Sequence, residues 1–243
     1  MFLALDIGNS HVVCAVHDLQ NWIHSIRISS NLDFWNKFKT LKEYDITHAA
    51  ISSVVPRLTS VYVESIRNIF HIDTFIISCE NSSIELKIDM PEEVGVDRIC
   101  NTAAAQELAG CPAIIGDIGS ATNYDVVNEK GAFIGGAIAP GLKTAAQNLF
   151  EKTALLKEAA FTVPASAIGR DTTTNLQAGI MLGAIDVIDG MFSRMQSETG
   201  WRNSHNIITG GFGELISPHL KTKHALIPSL TLDGIRIIYE KSK

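Results

Sequence analysis

The stretch IGDIGSATNYDVV, residues 115–127, repeats a pattern that the chain has already used in LALDIGNSHVVCAV, residues 3–16. In both, an apolar run ends at Asp-Ile-Gly, a small hydroxyl residue follows within two positions, and a second apolar run begins. An aspartate that closes a buried strand costs desolvation free energy unless something compensates its charge. The glycine two residues on lets the backbone turn tightly enough for amide N–H groups to approach an anion. Carboxylate and amides side by side suit a cation–phosphate pair. Asp-Gly is also common hairpin chemistry, so either turn alone reads as structural. The duplication, once at the head of each half, favours two turns that hold a polyphosphate from both sides.

Working outward from the first turn, residues 2–6, 11–17 and 22–29 read as short strands. Asn31 to Tyr44 has helical apolar spacing through Leu32, Trp35, Phe38 and Leu41. HAAISSVV follows as a buried strand that stops at Pro56, which is placed to open a helix to about Phe70. A strand at 73–78 and a helix over 95–109 complete the half. Around the second turn, strands are expected at 113–117, 121–128 and 132–138, then a helix after GGAIAPGL (135–142) and a long helix from Thr172 to Met195. NIITGG (206–211) is a buried strand ending on paired glycines, and TLDGIRIIYEK (231–241) is a closing helix. The expected fold class is α/β: two related lobes, 1–112 and 113–243, each a mixed β-sheet with flanking helices.

A chain of 243 residues, 46% of them apolar, has ample material for such cores. Its net charge is −6 and the basic residues are scattered, which argues against nucleic acid as a partner. The four cysteines, Cys14, Cys79, Cys100 and Cys111, lack C-x-x-C spacing and read as reduced core thiols. No signal peptide stands out, and polar residues are expected to interrupt every apolar run. The chain therefore reads as soluble and cytoplasmic, without a membrane partner.

Paired strand–DxG–strand turns with a late Gly-Gly strand resemble the acetate and sugar kinase, heat-shock ATPase and actin superfamily. That resemblance implies an actin-like ATPase fold with a nucleotide cleft between the lobes. Asp6–His11 would be its phosphate-1 loop, Asp117–Asn123 its phosphate-2 loop, and Thr209–Gly211 its adenosine segment. Further motifs occur in order: MPEEVGVDRICNTAAA (90–105), DIGSATNYDVV (117–127), GGAIAPGL (135–142), IGRDTTTNLQAGI (168–180), ITGGFGELI (208–216) and LTLDGIRII (230–238). Together they resemble the type III pantothenate kinases, bacterial enzymes that start coenzyme A synthesis, over nearly the whole chain. The resemblance implies ATP-dependent phosphorylation of pantothenate to 4'-phosphopantothenate.

Phosphoryl transfer to a primary alcohol needs an acceptor for the hydroxyl proton, in line with the γ-phosphate. By resemblance that base is Asp97, and Gly95, Val96, Asp97 and Arg98 contact pantothenate, with Arg98 offering its fork of donors to the carboxylate. Without the resemblance, Asp97-Arg98 reads as a helix-start acid beside a surface cation. Thr172 matches a further substrate contact and reads equally well as an N-cap. The resemblance also has Asp6 hold Mg²⁺-ATP, with Gly8, Asn9, Ser10 and His11 lining the phosphates, though His11 reads equally as a plain turn imidazole. Ser120 would touch ATP, Gly210 and Gly211 would lie at the adenosine, and Asp117 would bind a monovalent cation, K⁺ or NH₄⁺. A homodimer whose substrate pocket borders the partner chain completes the set.

Two positions depart from the family pattern. The usual Thr-Ala-Thr-Thr is Ser120-Ala121-Thr122-Asn123, and Ile88 stands where the family often has a substrate-contacting tyrosine. Competing readings are a kinase of another small acceptor, which Ile88 favours, a non-catalytic nucleotide-binding regulator, and a structural role like actin's. Retention of Asp6, Asp97 and Asp117 argues against the regulator, and the short chain argues against the structural role.

Overall fold

The computed structural model describes residues 1–30, 35–153, 156 and 158–243. They fall into two compact units, Met1–Ala109 with Gly131–Phe133 and Ser229–Lys243, and Gly110–Lys130 with Ile134–Pro228. In the first, β1 (Phe2–Ile7), β2 (His11–His17) and β3 (Trp22–Ser29) form an antiparallel meander. A helical turn, α1 (Trp35–Phe38), precedes β4 (His48–Ser53), which pairs parallel to β1. Helix α2 (Pro56–Phe70) returns the chain to β5 (Thr74–Ile76), and α3 (Val96–Leu108) follows, giving the sheet order β3-β2-β1-β4-β5.

The second unit repeats the plan with β6 (Ala113–Ile118), β7 (Ala121–Val127) and β8 (Phe133–Pro140), then α4 (Leu142–Lys152), α5 (Thr172–Gln177) and α6 (Gly183–Thr199). After these come β9 (His205–Thr209), parallel to β6, a short α7 (Gly213–Ile216) and β10 (Ala225–Leu226), before α8 (Leu230–Lys241) returns to the first unit. The sheet order of the second unit is β10-β9-β6-β7-β8. Two mixed five-stranded sheets with flanking helices are the expected α/β class.

The central strands are apolar along their length because they have strands on both sides and helices on their faces. Leu3, Leu5 and Ile7 of β1 pack with Leu58, Tyr62 and Ile66 of α2, all essentially inaccessible to solvent. Pro56 is the first residue of α2, where its missing N–H costs nothing and its fixed φ suits the helix, as expected. On the opposite face, Phe2 stacks on Tyr239 of α8, ring centroids 5.1 Å apart. Helix α8 is tied down further by Trp22 Nε1 donating to Asp233 Oδ1 at 2.8 Å and Thr231 Oγ1 donating to Asn101 Oδ1 at 2.8 Å. The last fifteen residues, Ser229–Lys243, thus group with the first unit, so the two units are not divided by one cut near residue 112.

Two local expectations are corrected. The helix expected over 31–44 is only α1 followed by a 3-10 turn, Lys39–Glu43. There Thr40 Oγ1 donates to Lys37 O at 2.7 Å, a local bond that competes with the α-ladder; residues 31–34 lie outside the described residues. The long helix runs past Met195 to Thr199, and a wider π turn, Ala178–Leu182, interrupts it. By length and composition alone, Thr172–Thr199 is apolar enough to cross a membrane even with the polar residues that interrupt it. Asp186 and Asp189 lie within it, and Ile185, Ile188 and Phe192 are buried in the core of the second unit.

The duplication is close. Asp6 pairs with Val13 and Asp117 with Asn123, and the burial patterns of β1 and β6, and of β2 and β7, are identical. Gly8 N donates to His11 O at 3.0 Å and Gly119 N to Ala121 O at 2.9 Å, each closing its hairpin. Asn9 and Ser10 lie between the closing residues of the first turn, Ser120 alone between those of the second.

Candidate active site

In the first unit, β1 carries a half-buried Asp6 to its end, and the turn after it presents exposed Asn9 and Ser10 and half-buried Gly8 and His11. Arg27 Nη2 lies 3.4 Å from His11 Nδ1, which brings a cation to the turn's flank. The turn's carbonyls are tied back to the sheet. Ile7 O accepts from Val54 N at 3.0 Å, Gly8 O from Ser30 Oγ at 2.7 Å, and Ser10 O from Ser30 N at 3.0 Å.

Asp97 sits in the first turn of α3, with Gly95 as the N-cap. Its Oδ1 accepts from Arg98 N at 2.9 Å. The side chain folds back so tightly over Gly95 that a Cβ there would meet Oδ1, so any larger residue would have to turn the Asp97 carboxylate aside. Burial raises the Asp97 carboxyl above its ordinary value, and the N–H and charge of Arg98 only partly offset this. Burial likewise pushes the Cys100 thiol well up, and the nearby carboxylates of Asp6 and Asp97 add to the effect. Both acids therefore face one small region, and the thiol beside them stays protonated and unreactive.

The Arg98 guanidinium lies over Phe133, 5.2 Å from the ring centroid. Phe133 N donates to Glu85 O at 2.9 Å and Lys87 N donates to Phe133 O at 2.8 Å. One residue thereby fixes both Arg98 and the segment that leads into half-buried Ile88.

In the second unit, Asp117 closes β6 beneath the Gly119–Ser120 turn. Gly210, at the end of β9, has φ +87, and a Cβ there would collide with Asp117 Oδ1 and the Ile118 backbone. Only glycine lets β9 deliver the chain this close to the carboxylate. Ile118 O accepts from Phe212 N at 3.0 Å, and Ser120 O accepts from Gly141 N at 3.2 Å and from Thr144 Oγ1 at 2.7 Å. Gly211 is exposed, and Phe212 packs edge-on to Phe161 at 5.5 Å.

Thr172 stands on a separate element. It is exposed at the first helical position of α5, and the cap is Asp171, not Thr172. Asp171 Oδ1 accepts from Thr174 N at 2.8 Å, and Thr174 Oγ1 accepts from Asp171 N at 3.2 Å, a reciprocal box that also holds the Asp171 carboxyl below its usual range. A cavity of ≈ 580 Å³ opens beside α5 and α6, lined by Tyr124, Leu149, Ile180 and Val187 among others.

The structure thus sets Asp6 and Asp97 both within electrostatic reach of Cys100, and brings Gly210 against Asp117. Ser30, Thr144 and Phe133 were not singled out from the sequence. Buried phenylalanine in a strand looks like ordinary core, and isolated hydroxyls carry no signal until their acceptors are known.

The sequence profile of type III pantothenate kinase matches residues 2–194. A type III pantothenate kinase of Citrifermentans bemidjiense is 36% identical to the chain, with 100% of each covered. Among solved structures, a Baf family protein from Campylobacter jejuni is 19% identical with a TM-score of 0.64, covering 98% of each chain. The activator of 2-hydroxyisocaproyl-CoA dehydratase from Clostridium difficile, solved with bound ADPNP, is 12% identical with a TM-score of 0.50, covering 99% of this chain and 95% of its own. These structural likenesses show the actin-like ATPase fold. The profile and the full-length relative show the family: the chain belongs to the type III pantothenate kinases, which phosphorylate pantothenate with ATP in the first step of coenzyme A synthesis.

Proposed function

We propose that Asp97 is the general base of this reaction. It takes the proton of the pantothenate primary alcohol as that oxygen bonds to the γ-phosphorus, while the bond from phosphorus to the β,γ-bridging oxygen breaks and ADP leaves. The observation that carries this is the half-buried Asp97 carboxyl, raised by desolvation and aimed by Arg98 N, since a base with a raised pKa accepts a proton more readily near neutrality. Arg98 binds the pantothenate carboxylate, flanked by Gly95 and Val96, and Thr172 adds a substrate contact.

The duplicated turns hold the ATP phosphates. Gly8, Asn9, Ser10 and His11 take one side of the phosphates, Ser120 the other, and Gly210 and Gly211 border the adenosine. Asp6, a strand-end carboxylate beside a turn rich in amides, has the donor chemistry for Mg²⁺ carried in with ATP, and the ion supplies charge neutralisation on the phosphates. Asp117 is an oxygen donor suited to K⁺ or NH₄⁺.

The enzyme acts as a homodimer in the cytoplasm. Only 28% of the most apolar window of Thr172–Thr199 is buried within the chain, and Val187 and Leu149 are exposed beside its cavity, which favours a second copy as the cover. Four free cysteines suit a reducing compartment. The test is ADP release with pantothenate and a panel of other small alcohols, with and without K⁺. Turnover of another alcohol in preference to pantothenate overturns the substrate contacts assigned here, and a monomer at assay concentration overturns the dimer.

A further inference from the structure

Each of the two turns is locked by the same arrangement of neighbours, supplied by unrelated residues. The carbonyl of the isoleucine before each glycine accepts from the first or third backbone N–H past the parallel strand, Val54 N to Ile7 O and Phe212 N to Ile118 O, both at 3.0 Å. A turn carbonyl then accepts a side-chain hydroxyl from the segment that follows the third strand of the meander. In the first unit this is Ser30 Oγ on Gly8 O at 2.7 Å, and in the second Thr144 Oγ1 on Ser120 O, also at 2.7 Å. A backbone N–H reinforces each, Ser30 N on Ser10 O at 3.0 Å and Gly141 N on Ser120 O at 3.2 Å.

We infer that Ser30 and Thr144 are positioning residues for ATP, a paired hydroxyl clamp that sets the direction of the amides in the two phosphate turns. The inference rests on the reading of these turns as the ATP-phosphate loops. A trans peptide holds its C=O and N–H antiparallel. Fixing Gly8 O on Ser30 therefore fixes Asn9 N–H on the opposite side, and fixing Ser120 O on Thr144 does the same for Ala121 N–H. The clamp also keeps two carbonyl dipoles from swinging toward the phosphates, where they would repel the charge that the amides attract. That the device recurs in both units, on turns of different length, separates it from incidental loop packing.

The test measures KM for ATP, KM for pantothenate, and ADP affinity by calorimetry in Ser30→Ala, Thr144→Val and Thr144→Ser. Loss of one neutral hydrogen bond corresponds to about a 2- to 13-fold change in affinity. The clamp predicts a rise of that order in KM for ATP and in Kd for ADP for Ser30→Ala and Thr144→Val, an unchanged KM for pantothenate, and recovery in Thr144→Ser. Because Ser30 is 8% exposed and its loss strands a carbonyl, exposed Thr144 provides the variant least exposed to folding loss. Unchanged ATP parameters, or equal shifts in both KM values with a fallen Tm, overturn the clamp. Asp6→Asn, assayed in parallel, separates the two failures. If it weakens ATP binding and the clamp variants do not, the clamp alone fails; if it too leaves ATP binding unchanged, the reading of the turns fails.

Discussion

Arg98 and Phe133 are joined face to cation, the guanidinium carbon 5.2 Å above the ring, although 35 positions of chain separate strand from helix start. A cation over an aromatic face gains about 0.5–2 kcal/mol, depending on desolvation. If Arg98 meets the pantothenate carboxylate, Phe133→Leu should raise KM for pantothenate by roughly 2- to 30-fold. KM for ATP should stay put, and Phe133→Tyr should keep most of the wild-type value. A Phe133→Leu enzyme with unaltered pantothenate kinetics would take Arg98 off the carboxylate.

Asp97→Asn separates catalysis from stability. Removing the proton acceptor should lower kcat by about 10²–10⁴. Burial raises the folded pKa of Asp97 above its unfolded value, so its stabilising contribution is complete below the unfolded pKa and lost as pH rises through the folded one. At about pH 7 the ionised side chain therefore weakens the fold, and the asparagine variant should melt higher, by about 2–4 °C for each kcal/mol recovered. That gain should fade as pH approaches about 4. Thermal melts across this range, with rates measured alongside, would expose an Asp97 that does neither.

Asp117→Asn concerns the cation. Wild-type activity should rise with K⁺ or NH₄⁺ and far less with Na⁺, and the variant should lose most of that response while keeping its fold. Equal turnover in rigorously K⁺-free buffer would remove the monovalent ion from Asp117.

The paired glycines should behave differently. Gly210→Ala forces a Cβ into Asp117 and Ile118 at φ +87, and such strain costs on the order of 1–3 kcal/mol before the collision is counted. A clear fall in Tm and a raised KM for ATP are expected. Gly211 is exposed and lacks a positive φ, so Gly211→Ala should melt near the wild type. Comparable melts for both alanine variants would mean that β9 does not need its close approach.

What was legible in the sequence was whatever short-range sterics decide. The Asp-x-Gly turns, the strands around them and the Pro56 helix start follow from alternation and fixed φ, and they stand where expected. Asp171 and Thr172 are both good cap residues, and only the geometry chose Asp171. The π turn at Ala178–Leu182 adds one residue to a helical repeat, and Gly179 and Gly183, the glycines in and after it, do not by themselves distinguish a π turn from an ordinary helix. Within the candidate site, the acids and the Gly95-Val96-Asp97-Arg98 motif were visible as motifs. The residues that aim them, Ser30, Thr144 and Phe133, were not, because each acts through a partner distant in sequence.

The allegiance of α8 has a consequence for how the polypeptide emerges from the ribosome. Trp22, Asn101 and Phe2 find their partners Asp233, Thr231 and Tyr239 only in a stretch translated after residue 228. The unit that starts first must therefore wait, its sheet lacking one covering helix, while Gly110–Lys130 and Ile134–Pro228 are already complete in sequence. Birth order and completion order are reversed, and a ribosome that stalls before residue 229 leaves the half bearing Asp97 unfinished while its companion is whole.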